Sequence, residues 1–88
     1  MPTYQATVTV RLKNGVLDPQ GQAIEGALGS LGFGGVDTVR QGKVFDVTLD
    51  AADEASAGNA LDGMCRQLLA NTVIEDYAVD LGEVRADR

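Results

Sequence analysis

The chain has 88 residues and a formal net charge of -6, with no histidine, no tryptophan and one cysteine. Without histidine, neither Ser-His-Asp nor Cys-His catalysis is available. A single cysteine excludes a disulfide framework and the thiolate set of a usual zinc site. The excess of acidic residues repels phosphate backbones, so we expect no nucleic-acid binding.

The first residues, MPTYQATV, have neither the basic start nor the apolar run of a secretory signal. No apolar stretch approaches the roughly 20 residues that span a bilayer. We therefore expect a cytoplasmic protein with no membrane contact. It should form a single domain over residues 1–88, with residues 83–88 as a frayed, charged tail.

The N-terminal third predicts a strand followed by a helix. Apolar and polar residues alternate over residues 4–13, which is the period of a half-buried strand. Asp18 and Pro19 then supply a helix N-cap and a proline at the first helical position. The helix should end at Gly32, and its apolar residues recur at three-to-four spacing: Ala23, Ile24, Ala27, Leu28 and Leu31.

The middle of the chain predicts a hairpin and a second helix. Residues 36–40 and 44–49 are strand-like and flank a turn at residues 41–43. Asp50 is the predicted cap of the second helix, with Asp53 and Glu54 in its first turn, where their charge complements the helix dipole. Its predicted buried stripe consists of Leu61, Met64, Cys65 and Leu68.

From Leu68 to Tyr77 the second helix gives way almost at once to the last strand. Asn71 belongs to a residue type that tolerates the left-handed conformation at helix ends, and Val73 and Ile74 are β-branched strand formers. The complete order is β-α-β-β-α-β. It predicts a two-layer, ferredoxin-like α+β domain with two helices packed on one face of a mostly antiparallel sheet.

No group of residues predicts a catalytic, cofactor-binding or metal site. The glycines of residues 29–35 follow a helix, whereas phosphate-binding loops precede one, so helix termination explains them. Glu75 and Asp76 are adjacent on a strand and point to opposite faces, so they cannot serve as an acid-base pair. Cys65 lies among apolar positions and is interpreted as a buried core residue.

Partner contact is the role that we assign to the remaining exposed polar residues, with a solvated surface as the alternative. Four of the seven basic residues lie on the first strand and the hairpin, whereas the C-terminal half is acidic, and this polarity can steer docking. The candidate contacts are two members of the basic group and four polar residues of the helix-to-strand junction: Arg40, Lys43, Asn71, Thr72, Glu75 and Asp76.

Three segments, in this order, resemble the PurS family, the small subunit of phosphoribosylformylglycinamidine synthase. They are VLDPQG at 16–21, VRQGK at 39–43 and LLANTVIEDY at 68–77. The resemblance covers most of residues 4–81 and implies a PurS-like fold. It also implies a noncatalytic subunit of an ATP- and glutamine-dependent C–N ligase of purine biosynthesis, inactive as an isolated chain.

The resemblance also implies partners. In that family a glutaminase subunit releases ammonia, and a large synthase subunit uses ATP to transfer it to formylglycinamide ribonucleotide. We therefore expect both subunits as partners and a homodimer or higher homo-oligomer of this chain. ATP, magnesium and glutamine are expected on the other subunits, and no cofactor on this one.

Two other functional classes stay open on the sequence. A regulatory domain of the amino-acid-sensing ACT type has the same element order, and Asn14-Gly15 lies in the first turn, where such domains bind ligands. An independent enzyme is disfavoured, because the carboxylates, lysines and tyrosines have no convergent arrangement. Saturable binding of an amino acid without partner proteins distinguishes the regulatory class.

Overall fold

The computed structural model describes residues 1–84. The elements in chain order are β1 (Thr3–Leu12), α1 (Pro19–Ser30), β2 (Gly42–Asp50), α2 (Glu54–Met64), a π-helical segment (Cys65–Leu69) and β3 (Glu75–Val84). Glu83 and Val84, which were predicted to begin a frayed tail, are the last two residues of β3 and pair with Tyr4 and Thr3 of β1. The rest of that predicted tail, 85–88, lies outside the described residues.

Strand β1 is the centre of a three-stranded antiparallel sheet in the order β2-β1-β3. Val8 lies opposite Phe45 of β2 and Val79 of β3, which fixes the register on both sides. Every second residue of β1 is buried, namely Tyr4, Ala6, Val8 and Val10, as the alternation predicted. The other face of β1 is polar.

Helix α2 covers the apolar face of the sheet. Leu61 and Cys65 are fully buried against β1, and they form the main core cluster with Ala6, Val8, Val10 and Ala70. The N-cap of α2 is Asp53, whose Oδ1 accepts a hydrogen bond from the backbone N–H of Ser56 at 2.7 Å. The prediction of Asp50 as the cap was wrong, because Asp50 is still part of β2 and accepts a hydrogen bond from Thr3 Oγ1.

The predicted hairpin was also wrong. Residues 36–40 form no strand, and β2 pairs with β1 instead. The backbone N–H of Val39 donates to Glu25 Oε2 at 3.1 Å, and that of Gln41 donates to Asp18 Oδ2 at 2.8 Å. Glu25 in α1 and Asp18 just before it therefore accept from backbone N–H groups that a pair of strands would need for its own hydrogen bonds.

The last turn of the second helix contains one residue more than the predicted α-helical turn. The backbone N–H of Ala70 donates to the carbonyl of Cys65, which closes a π-helical turn with one extra residue. Leu69 consequently packs against the core, whereas Leu68, predicted to be buried, is 84% exposed. Asn71 is not left-handed, since only glycines have positive φ among residues 1–84.

The α+β class with an antiparallel sheet is confirmed, with three strands instead of four. Helix α1 differs from α2 in that it lies largely away from the sheet, and its only buried residue is Gly21. The described chain measures 52 × 31 × 15 Å with a radius of gyration of 17.1 Å. A compact chain of this length has about 12 Å. The molecule is therefore elongated, with α1 projecting from it.

Candidate interaction surfaces

The first exposed apolar feature is the arm, which we define as residues 19–41, comprising α1 and the segment that returns to β2. Ile24, Leu28 and Leu31 lie at three-to-four spacing and form one stripe on α1. Leu31 is 73% exposed, and Phe33, which follows the positive-φ Gly32, is 59% exposed. An apolar stripe that the rest of its own chain leaves uncovered is typical of a protein contact.

The sheet has an incompletely covered apolar strip of its own. Helix α2 packs toward the β3 side of the apolar face. Phe45, Val47 and Leu49 of β2 point to the same face and are only partly buried. In a ferredoxin-like domain with both helices on the sheet, a second helix covers this half. Here α1 points elsewhere, so both the strip and the arm expose apolar area.

The two predicted basic contacts have intramolecular partners. The guanidinium of Arg40 donates to Asn14 Oδ1 at 2.6 Å and to the carbonyl oxygens of Leu12 and Lys13. Arg40 thus braces the turn after β1. Lys43 Nζ lies 3.9 Å from Glu75 Oε2 and 5.8 Å from the centre of the Phe45 ring. This ion pair is long and its Lys43 side is exposed, so its contribution to stability is small.

The corner, residues 68–74, presents apolar side chains on a hydrogen-bonded backbone. Asn71 Oδ1 accepts from the N–H of Val73 at 3.2 Å, and Glu75 Oε1 accepts from the N–H of Asn71 at 2.7 Å. The carbonyl of Ile74 also accepts from the N–H of Lys13. Val73 is 81% exposed. The corner is therefore held in shape while Leu68 and Val73 point outward.

The four predicted polar contacts of this region divide into two kinds. Asn71 and Glu75 use their side-chain oxygens to close the corner. Thr72 is exposed, and Asp76 is exposed apart from a 3.4 Å ion pair with Lys13. Glu75 lies opposite Leu12 and Asp76 opposite Arg11, on alternate faces of β3. The two carboxylates do not converge, as predicted.

A polar cluster beside the core was missed by the sequence reasoning. Tyr77 Oη donates a hydrogen bond to Asp62 Oδ1, and Asp62 Oδ2 lies 2.6 Å from Arg66 Nη2. The hydrogen bond with Asp62, together with burial, raises the pKa of Tyr77. The four-residue spacing of Asp62 and Arg66 is the signal that could have revealed the ion pair. The cluster ties α2 to β3.

Cys65 and the open clefts give no catalytic arrangement. Cys65 is fully buried, and burial raises the pKa of its thiol, so the reactive thiolate is disfavoured. Clefts of 220, 200 and 260 Å³ surround the base of the arm, and their linings include Asp18, Arg40 and Lys43. All three are open to solvent. Asn14 and Gly15, the ligand-binding turn of the regulatory alternative, line the second and third of them respectively.

Nowhere in the range 1–84 do three or more cysteine, aspartate or glutamate side chains gather as metal ligands would. No helix within it has the length and apolar character needed to cross a membrane.

A three-stranded antiparallel sheet with one covering helix and one exposed helical arm defines a small ferredoxin-like α+β protein that leaves several apolar side chains exposed. The family model described as "PurS: Phosphoribosylformylglycinamidine (FGAM) synthase" matches residues 5–83. The chain belongs to the PurS family. The PurS subunit of phosphoribosylformylglycinamidine synthase from Synechocystis is 49% identical over 79 residues, which are 90% of this chain and 79% of that protein.

Solved structures agree with this assignment. The Bacillus subtilis PurS structure superposes with a TM-score of 0.84 at 44% identity, over 91% of this chain and 99% of the other. A structure of PurLQS from Thermotoga maritima contains a chain that matches with a TM-score of 0.84 at 30% identity, over 96% of this chain and all of that one. The fold predicted from the sequence resemblance is thus confirmed.

Proposed function

We propose that this chain is the noncatalytic small subunit of phosphoribosylformylglycinamidine synthase. It assembles a glutaminase subunit and an ATP-dependent synthase subunit for ammonia transfer to formylglycinamide ribonucleotide in purine biosynthesis, in the cytoplasm. The observation that carries the proposal is the exposed apolar arm in a member of the PurS family. A relative that occurs in the PurLQS structure supports contact with other subunits.

The noncatalytic role is supported by the chemistry of the described side chains. The carboxylates of Glu75 and Asp76 diverge, Cys65 is buried with a raised thiol pKa, and Tyr77 is hydrogen-bonded to Asp62. Residues 1–84 also offer no carboxylate cluster for magnesium and no glycine-rich loop that opens into a helix. We therefore place ATP, magnesium and glutamine on the other subunits.

Self-association through the arm is part of the proposal. In a two-fold symmetric dimer each arm lies on the partly covered β2 strip of the second copy, so the same contact forms twice. The stripe that includes Ile24 and Leu31 then packs near Phe45 and Val47 of the partner. This arrangement removes from water the two apolar surfaces that one chain leaves exposed, which is the principal driving force for association.

The corner is the proposed contact with the larger subunits. Leu68 and Val73 are more exposed than the arm residues and are presented on a backbone already ordered by Asn71 and Glu75. An ordered surface loses less conformational entropy on binding than a mobile one. Thr72 and Asp76 border the corner with polar groups, while Arg40 and Lys43 lie at the base of the arm.

Reconstitution tests the proposal. Amidine formation is measured with the large and glutaminase subunits in the presence and absence of this chain, with either glutamine or ammonia as nitrogen donor. We expect omission of the chain to abolish most of the glutamine-dependent rate and to leave the rate with saturating ammonia much less affected. A glutamine-dependent rate that is unchanged without the chain contradicts the proposal.

A further inference from the structure

The base of the arm is the place where the chain leaves the sheet after β1 and comes back to enter β2. Asp18 lies there and uses both carboxylate oxygens. Oδ1 accepts from the N–H of Gly21 at 2.9 Å, which caps α1, and Oδ2 accepts from the N–H of Gln41 at 2.8 Å. One side chain thus joins the outgoing and returning segments across 23 residues of sequence.

The two segments are in close backbone contact at this point. Gly21 is the buried residue of α1, and a Cβ atom at its position would lie 2.3 Å from the carbonyl oxygen of Val39. Glu25 Oε2 accepts from the N–H of the same Val39 at 3.1 Å. Gln41 Nε2 donates to Gln20 Oε1 at 2.6 Å. The returning segment therefore lies flat against the first two turns of α1.

The remainder of the arm has little else to hold it. Residues 29–38 are exposed and form no strand, and α1 makes few contacts with the sheet. The direction in which the arm projects is consequently decided by the contacts at its base. Arg40 fixes the returning segment to the turn after β1, and Asp18 fixes it to α1.

We propose that Asp18 is the positioning residue that holds the arm at the angle required for self-association. The consequence for association rests on the homodimer proposed above, whereas the positioning role is a property of the single chain. Charge-assisted hydrogen bonds are roughly twice as strong as neutral ones, and a carboxylate can accept from both segments at once. The lowered pKa of Asp18, caused first by the Gln41 N–H and then by the Gly21 N–H, agrees with this arrangement.

Asparagine separates the positioning role from ordinary helix capping. Asp18→Asn keeps an oxygen for the Gly21 N–H, and asparagine caps helices about as well as aspartate. With the asparagine Oδ1 kept on Gly21, however, its Nδ2 faces the backbone N–H of Gln41. Both of these groups are donors, so the second hydrogen bond is lost. Asp53→Asn is the matched control, since the described side-chain hydrogen bonds of Asp53 all go to Ser56 within its own helix.

The experiment measures amide hydrogen exchange and small-angle X-ray scattering on the wild-type chain, Asp18→Asn and Asp53→Asn, with sedimentation velocity for association. In Asp18→Asn we expect exchange at Gln41 to accelerate by at least about tenfold and the dissociation constant of the dimer to rise by a similar factor. Amides in β1 should keep their wild-type protection, which shows that the sheet is folded. Asp53→Asn should match the wild type in both Gln41 exchange and association.

The outcomes separate this inference from the proposed function. Unchanged Gln41 exchange and unchanged scattering in Asp18→Asn overturn the positioning role, whether or not the protein is a dimer. Accelerated exchange with an unaltered dissociation constant overturns the proposed consequence for association, since the dimer then forms without the arm being held by Asp18. If the wild type is monomeric at every concentration, the homodimer is wrong, and the scattering profile alone decides whether Asp18 sets the arm angle.

Discussion

The backbone N–H of Ala70 donates to the carbonyl oxygen of Cys65 at 2.9 Å, five residues earlier in the chain. An α-helix would pair residues four apart, so this bond inserts one residue into the last turn. The insertion turns Leu69 toward the core and Leu68 toward solvent. The π-helical turn thus places one of two adjacent leucines against the core and leaves the other exposed to solvent.

Substitution of the two leucines tests this division. Leu69→Ala should lower the free energy of unfolding by about 1–3 kcal/mol, because a packed side chain is lost, whereas Leu68→Ala should change it by no more than about 0.5 kcal/mol. The measurement is the midpoint of urea unfolding monitored by circular dichroism. Equal destabilisation by the two substitutions would mean that the second helix ends without the π-helical turn.

The exposed residues of the corner are predicted to matter for assembly with the larger subunits. Replacing Leu68 and Val73 together by serine should weaken binding of those subunits by at least about tenfold and leave self-association intact, because apolar contact area is lost only at the corner. Binding is measured by surface plasmon resonance. Val44→Ser is the control, because Val44 lies on β2, outside the corner, and is 61% exposed. Equal effects of corner and control variants contradict the assignment.

Tyr77 should make the protein sensitive to alkaline pH. Its pKa is raised from the ordinary value of 10.0, chiefly by its hydrogen bond to Asp62, so the folded state keeps the proton at a pH where the unfolded chain loses it. The stabilisation is therefore complete below pH 10.0 and is lost as the pH rises through the higher folded value. Tyr77→Phe should be less stable at neutral pH and should show a flatter alkaline decline in urea midpoint. An unaltered alkaline slope in this variant would exclude Tyr77 as the group responsible.

Cys65 is expected to resist alkylation while the protein is folded. The side chain is fully buried, and burial raises the pKa of its thiol above the ordinary value of 9.0. Reaction with iodoacetamide at pH 8 should be slower than in urea-unfolded protein by at least about a hundredfold, since it requires opening of the core. Mass spectrometry of timed samples gives both rates. Comparable rates would show that α2 does not cover the sheet stably.

The elements that were predicted correctly are those determined by residues close together in the sequence. Alternation in β1 and the Asp18-Pro19 start of α1 depend on neighbours within a few residues, as does the stripe that includes Leu61 and Cys65. Residue spacing within a segment does not indicate which other strand β2 pairs with. Residues 36–40 looked like a strand, but the distant Glu25 accepts from the backbone N–H of Val39, and Asp18 accepts from that of Gln41, the next residue after the segment.

The candidate surfaces were only partly predictable for the same reason. The exposed polar groups Thr72 and Asp76 could be proposed from the sequence, whereas the structural uses of Arg40 and Glu75 depend on partners brought close by the fold. The amphipathic stripe of α1 was visible as a helix pattern. That α1 projects from the sheet instead of covering it could not be deduced, because an apolar stripe looks the same whether its own chain or another copy covers it.

The association state of the wild type and of an arm variant tests the central claim most directly. Multi-angle light scattering is measured at micromolar concentrations for the wild type, Ile24→Asp and Gln22→Asp. Positions 22 and 24 lie on opposite sides of α1, so both variants add one aspartate to the helix, but only position 24 lies in the apolar stripe. We predict twice the chain mass for the wild type and for Gln22→Asp. For Ile24→Asp we predict the mass of one chain, because a buried unpaired carboxylate opposes the contact. A monomeric wild type, or a dimer that survives Ile24→Asp, would contradict assembly through the arm.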